Sequence, residues 1–72
     1  MKNLVSLVVV GIKNDQGREN VRFFQYHDDS SGEDEYKILY ENENKERNVT
    51  KEVGNDLYRE IIKNAIYYLK IV

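Results

Sequence analysis

The run Leu4-Val5-Ser6-Leu7-Val8-Val9-Val10, carried on by Ile12, constrains this chain more than any other stretch. Val and Ile are stiff at χ1 and suit a pleated sheet. The run is nearly continuous rather than alternating. That predicts a central strand over about 4–12, covered on both faces. With Met1-Lys2-Asn3 in front, it also has some features of a secretion signal. It is short, however, Ser6 interrupts it, and no small-residue cleavage site follows. It is far too short to span a bilayer. A cytoplasmic protein with no membrane partner is expected.

Asn14-Asp15-Gln16-Gly17 is a turn signal, with Gly17 free to take positive φ. It joins the first strand to a second over about 19–27, making a hairpin. Alternation puts Val21, Phe23 and Gln25 on one face of that strand, and Arg22, Phe24 and Tyr26 on the other. Asp28 to Asp34, with Ser30-Ser31-Gly32 at its middle, reads as a loop. A third strand over about 35–41 places Tyr36, Ile38 and Tyr40 on one face and Lys37, Leu39 and Glu41 on the other. Asn42 to Asn48 is charged and loop-like.

The remaining element reads as a helix over about 55–70. Leu57, Ile61, Ala65, Tyr68 and Val72 recur at helical spacing, and Tyr58, Ile62, Ala65, Ile66 and Leu69 form a second row beside them. Asn55 is a suitable N-cap, with Asp56 favourable next to the helix dipole. Thr50 is an earlier alternative start, at a cost of about 1 kcal/mol for an internal Gly54. The expected fold is therefore α+β. It is a single domain, 1–72, with a three-stranded antiparallel sheet, hairpin plus third strand, and one C-terminal helix.

A chain of 72 residues buries a thin core and often needs a staple. There is no Cys, so there is no disulfide, thiolate nucleophile or Cys-ligated metal. The single His27 cannot build a zinc site alone. No cofactor is expected. Oligomerisation is the remaining staple. The two apolar rows of the helix predict a homodimer, with Tyr58, Ile62, Ile66 and Leu69 at the interface.

The net charge of −2 conceals an asymmetry. Asp28 to Glu46 holds eight acids (Asp28, Asp29, Glu33, Asp34, Glu35, Glu41, Glu43, Glu46) against Lys37 and Lys45, while the rest of the chain is net basic. Such a segment repels nucleic acid, so direct binding of DNA or RNA is not expected despite the aromatics Phe23, Phe24 and Tyr26. Asp28-Asp29-Ser30-Ser31-Gly32 is out of register with a calcium loop: His27 would be its first ligand and Ile38 its closing one. His27 beside Asp28 has no Cys, no G-x-S-x-G elbow and no Gly-rich phosphate loop to complete a catalytic site. An enzyme is not expected. The plain alternative is a small α+β domain whose tyrosines are core and whose acids are solvated loop. The functional alternative is that carboxylates around exposed tyrosines imitate the phosphates and bases of DNA and fill a basic groove.

Four short motifs point further. Gln25-Tyr26-His27, Tyr36-Lys37-Ile38-Leu39-Tyr40, Gly54-Asn55 and Glu60-Ile61-Ile62-Lys63 occur in this order. From about Glu19 onward the chain resembles the small DNA-mimicking uracil-DNA glycosylase inhibitor family of protein-primed Bacillus phages. Relative to that family, Glu41 to Val53 reads as an insertion. The resemblance implies an acidic homodimer in the infected bacterial host. It would plug the DNA-binding site of the host glycosylase without doing chemistry. That enzyme pushes an apolar side chain into DNA as it flips uracil out. By position, Tyr36 and Tyr40, with Tyr26 beside them, would line a pocket for this side chain, amid Glu35, Glu41 and Glu43. The alternatives are an interaction module aimed at another host DNA-binding or defence protein, and a structural phage protein with no enzyme target.

Overall fold

The computed structural model describes residues Met1–Val72. Its elements are β1 (Lys2–Asn14), β2 (Gly17–Asp28), β3 (Asp34–Tyr40), β4 (Lys45–Val49), α1 (Lys51–Ile62) and β5 (Ala65–Lys70). The strands form one sheet in the order β4-β3-β2-β1-β5, with every neighbouring pair antiparallel.

The β1–β2 hairpin closes on Asp15-Gln16, with Asn14 opposite Gly17. The Asn14 Oδ1 accepts from the Gln16 N–H at 2.9 Å, and Gly17 takes φ +109°, a value that favours glycine. The Asp28-to-Asp34 connection is a loop, as expected. Its Asp28 Oδ1 accepts from the Ser30 N–H at 2.9 Å, and Gly32 sits at φ +73°.

Register assigns the faces. Val8 and Val10 lie beside Phe23 and Val21, which lie beside Ile38 and Tyr40. This is the face that α1 covers: the Phe23 and Tyr58 rings meet edge to face, with centroids 5.3 Å apart. The core centres here on Val10, Val21 and Ile38, which are 0%, 0% and 2% exposed. Val9, pointing to the opposite face, is 6% exposed. No helix covers that face, and its side chains cover one another instead. Phe24 stacks on Tyr26, and the Tyr67 ring lies over Gly11, in the space a Cβ there would need.

Five strands replace the expected three, and the helix is shorter and earlier than expected. Three places in the sequence are responsible. Thr50, not Asn55, caps α1: its Oγ1 accepts from the Val53 N–H at 3.2 Å. The capped turn accommodates Gly54, whose N–H reaches the Thr50 carbonyl at 2.8 Å. The helix then stops at Ile62, and Lys63-Asn64 turns the chain back. Ala65–Lys70 runs as a strand along β1, pairing Val10 with Tyr68 and Val9 with Leu69. The apparent insertion, Glu41 to Val53, holds β4 and the first turn of α1. The proposed helical dimer face is thereby split: Tyr58 and Ile62 lie on α1, and Ile66 and Leu69 lie on β5. No helix is long and apolar enough to cross a membrane.

Candidate binding cleft

Between the first turns of α1 and the β2–β3 ladder lies a half-open cleft of about 150 Å³. Phe23, Tyr36, Ile38, Val49 and Tyr58 form most of its apolar lining. A cavity of this size holds an apolar group as large as benzene. Each wall has a local cause. Phe23 faces Ile38 across β2–β3, and Gln25 faces Tyr36 one step along the same face. Val49 ends β4 opposite Tyr36 and brings the start of α1 over the sheet. Gly54 lies at the helix side of the opening, where a Cβ would come within 3.4 Å of Val49 Cγ2. Burial pushes the Tyr58 phenol above its ordinary value, and the neighbouring Tyr68 hydroxyl adds to the shift.

The end of the cleft is polar. Gln25 Nε2 donates to Asp34 Oδ2 at 3.0 Å and reaches the Tyr36 hydroxyl at 3.5 Å. His27 Nδ1 lies 2.7 Å from Asp34 Oδ1. This hydrogen bond holds the His27 imidazole above its usual pKa and the Asp34 carboxyl below its own; Gln25 adds to the latter shift. No group of three or more His, Cys, Asp or Glu side chains is placed to hold a metal ion.

The three tyrosines singled out from sequence do not share a pocket. Tyr36 lines the cleft. Tyr40 shares its face but lies four residues on, about 13 Å along the strand. There Arg47 sits 5.6 Å from its ring centroid, and burial raises its phenol pKa. Tyr26 points to the other face, stacked on Phe24, with Lys37 Nζ 5.6 Å from its ring centroid.

The acids are also less free than their sequence suggests. Glu35 pairs with Lys2 at 2.9 Å, Glu41 with Arg22 at 2.8 Å, Glu43 with Arg47 at 2.6 Å and Glu46 with Lys37 at 3.8 Å. Asp29 accepts from Asn3 at 2.9 Å. Of the eight acids in this segment, Glu33 alone has a side chain with no partner in the chain. Exposed pairs of this kind contribute about 0–1 kcal/mol each. They do cancel local field.

Sequence reasoning missed Phe23, Val49 and Tyr58 as cleft walls. The available signal was Gly54, a glycine inside a helical pattern beside an Asn-Val-Thr stretch. No family model, no curated protein and no solved structure matches this chain.

Proposed function

We propose that this chain is a non-catalytic binding module that captures one protruding apolar side chain of a partner protein in the cleft formed by Phe23, Tyr36, Ile38, Val49 and Tyr58. The observation that carries this reading is the cleft itself: apolar walls, room for a single side chain, and a polar end at Gln25, which donates to Asp34 behind it. Deep burial of one apolar side chain in such a pocket is the usual form of an interface hot spot. The partner proposed is a uracil-DNA glycosylase, held off DNA by mimicry. Its support is the resemblance of the motifs around Tyr26, Tyr36, Gly54 and Glu60. In this form of the mechanism, Tyr36 keeps its role and Phe23 and Tyr58 take the places first given to Tyr26 and Tyr40. The acid left to face the partner is then Glu33, beyond the cleft's polar end; Asp34 is already held by His27 and Gln25.

A second reading is an interaction module for a different host DNA-binding or defence protein. The ion-paired state of Glu35, Glu41, Glu43 and Glu46 favours it, because a paired carboxylate is a weak imitation of a phosphate. One titration separates the two. Uracil release from single-stranded DNA by a bacterial uracil-DNA glycosylase should fall to zero as the protein is added. Unchanged release at a large molar excess removes the glycosylase and leaves the second reading.

A further inference from the structure

Every connection in this fold joins neighbouring strands except one. α1 leaves β4 at one edge of the sheet and enters β5 at the other, crossing the whole face. All neighbouring pairs are antiparallel, so β4 and β5 point the same way, and α1 must also travel back along the strands. Register places its two ends. Val49, the last residue of β4, lies on the row of Tyr36, Gln25 and Ser6. Ala65, the first of β5, lies beside Ile12. The two are four strand spacings apart across the sheet, roughly 19 Å, and six residues apart along it, roughly 20 Å, a diagonal of roughly 27 Å.

The chain between those ends has little to spare. The 12 residues of α1 measure about 18 Å. With Thr50 before them and Lys63-Asn64 after them fully extended, the path reaches roughly 34 Å. Part of that is used in climbing from the sheet to the helix and back. α1 is therefore a strap drawn across the sheet, not a lid with a free end. Its anchors differ. β4 is tied to β3 by a turn in which the Asn44 N–H donates to the Tyr40 carbonyl at 3.0 Å, by Glu46 with Lys37 at 3.8 Å, and by Arg47 over the Tyr40 ring. β5 pairs with a strand far away in sequence, so no turn holds it there. It rests on its backbone ladder and on Tyr67, which lies over Gly11 and bonds Asn20. No residue of α1 or β5 is fully buried, whereas Val10, Val21 and Ile38 are. Segments with few buried apolar contacts are the ones that open first.

We infer that β5 is the latch of the cleft: α1 and β5 leave the sheet together as one unit, taking Tyr58 away from Phe23, while β1, β2 and β3 stay paired. A taut strap cannot lift with both ends fixed. Release of β5 from β1 supplies the slack, and the cleft then loses the wall that α1 provides. The coupling runs both ways. An occupant that grips Tyr58 in the cleft keeps β5 on β1, and whatever strips β5 from β1 empties the cleft. As regulation of the cleft, this rests on the reading of the cleft as the binding site. The coupling itself is measured on the free chain, so the two ideas fail separately.

Native-state hydrogen exchange of the full chain, followed by NMR at rising urea below the unfolding transition, tests it. The Ile71 N–H donates to the Leu7 carbonyl at 2.9 Å, and the alternation of an antiparallel ladder turns the Leu69 N–H toward β1 as well. Leu69 and Ile71 should share one opening free energy with Tyr58 and Ile61 of α1. Val21 and Phe23 of β2 should show a higher one. Leu69 pairs with Val9 on the face away from the cleft. Leu69→Gly therefore loosens β5 without touching the cleft. It should speed exchange at Tyr58 and Ile61 by the same factor as at Ile71, roughly threefold or more. If that variant does not fold, the wild-type free energies still decide. Separate free energies for α1 and β5, one value common to all three elements, or α1 rates that ignore Leu69→Gly overturn the inference.

Discussion

Gly54 is the residue whose replacement best separates the needs of the fold from those of the cleft. It is the fourth residue of α1, its φ is not positive, and its N–H is bonded to Thr50. Nothing in the backbone requires glycine there. A glycine inside a helix costs about 0.5–1 kcal/mol relative to alanine. The Cβ of Gly54→Ala would meet Val49 Cγ2 at 3.4 Å, an ordinary contact. The helical gain should therefore survive, raising the melting temperature by roughly 2–8 °C for a domain of this size. Gly54→Leu goes further. Its isobutyl group would reach into a cleft of about 150 Å³ and take most of it. If the wild-type protein inhibits the glycosylase, Gly54→Leu should lose at least ~2 kcal/mol of that affinity, the hot-spot scale, while still melting cooperatively. Thermal melts by CD and inhibition titrations measure the two effects. A lower melting temperature for Gly54→Ala would mean that close packing against β4 demands the glycine. Full inhibition by Gly54→Leu would show that the cleft is not the contact.

Gly11→Ala should be destabilising by about 1–3 kcal/mol, the usual cost of overpacking, because the new Cβ displaces the Tyr67 ring and with it the Tyr67 hydroxyl's bond to Asn20. Tyr67→Ala in the same chain should recover part of that loss, and additive losses in chemical denaturation would contradict the contact. The His27–Asp34 pair sets a pH window. A raised imidazole pKa stabilises fully below 6.5 and fades as pH rises through the raised value. A lowered carboxyl pKa stabilises above 3.8 and fades as pH falls through the lowered value. The melting temperature of His27→Gln should therefore fall below wild type chiefly between these two values and converge with it at higher pH; a constant difference at all pH values would refute the linkage. Tyr36→Ala should weaken partner binding by at least ~2 kcal/mol, whereas Tyr40→Ala, under Arg47 and beside Val21, should lower stability by about 1–3 kcal/mol, less than for a fully buried ring, and spare binding. Reversed effects in parallel melts and titrations would return the pocket to Tyr40.

β1, its hairpin with β2, and β3 were legible because β1 is rich in β-branched residues, β2 and β3 alternate, and turn signals bound them. The C-terminal third was not. Ile61, Ala65, Tyr68 and Val72 fit a helix, but Ile66 with Tyr68, and Tyr67 with Leu69, fit a strand equally well. From residue 65 onward the chain is apolar on nearly every side, which is ambiguous by periodicity. The run in β1 held the deciding argument. A strand covered on both faces belongs inside a sheet, yet a sheet of only β1, β2 and β3 would leave it at an edge. A further strand beside β1 resolves that conflict, and β5 is the segment that supplies it. β4 was unreadable for the opposite reason. Lys45-Glu46-Arg47-Asn48 carries no apolar alternation, because all four side chains are exposed and neither face of this stretch is buried.

The cleft was partly legible by parity alone. Tyr36 and Tyr40 share a face in any register of β3. Tyr26 joins them or leaves them according to how β2 pairs with β3, and a slip of one residue reverses the answer. The Asp28–Asp34 loop sets that register through Gly32 and the Asp28 and Ser31 side chains, placing Tyr26 opposite Glu35 and Gln25 opposite Tyr36. The electrostatics were hidden in the same way. Counted along the chain, Asp28 to Glu46 is strongly acidic. Across the sheet, β1 brings Lys2 to Glu35 and β2 brings Arg22 to Glu41, from parts of the chain that are net basic. Charge separated in sequence is mixed again by strand pairing. Any negative face that remains must therefore lie where no basic strand runs alongside, and that place is the turn holding Glu33, at the same end of the sheet as the cleft's polar rim.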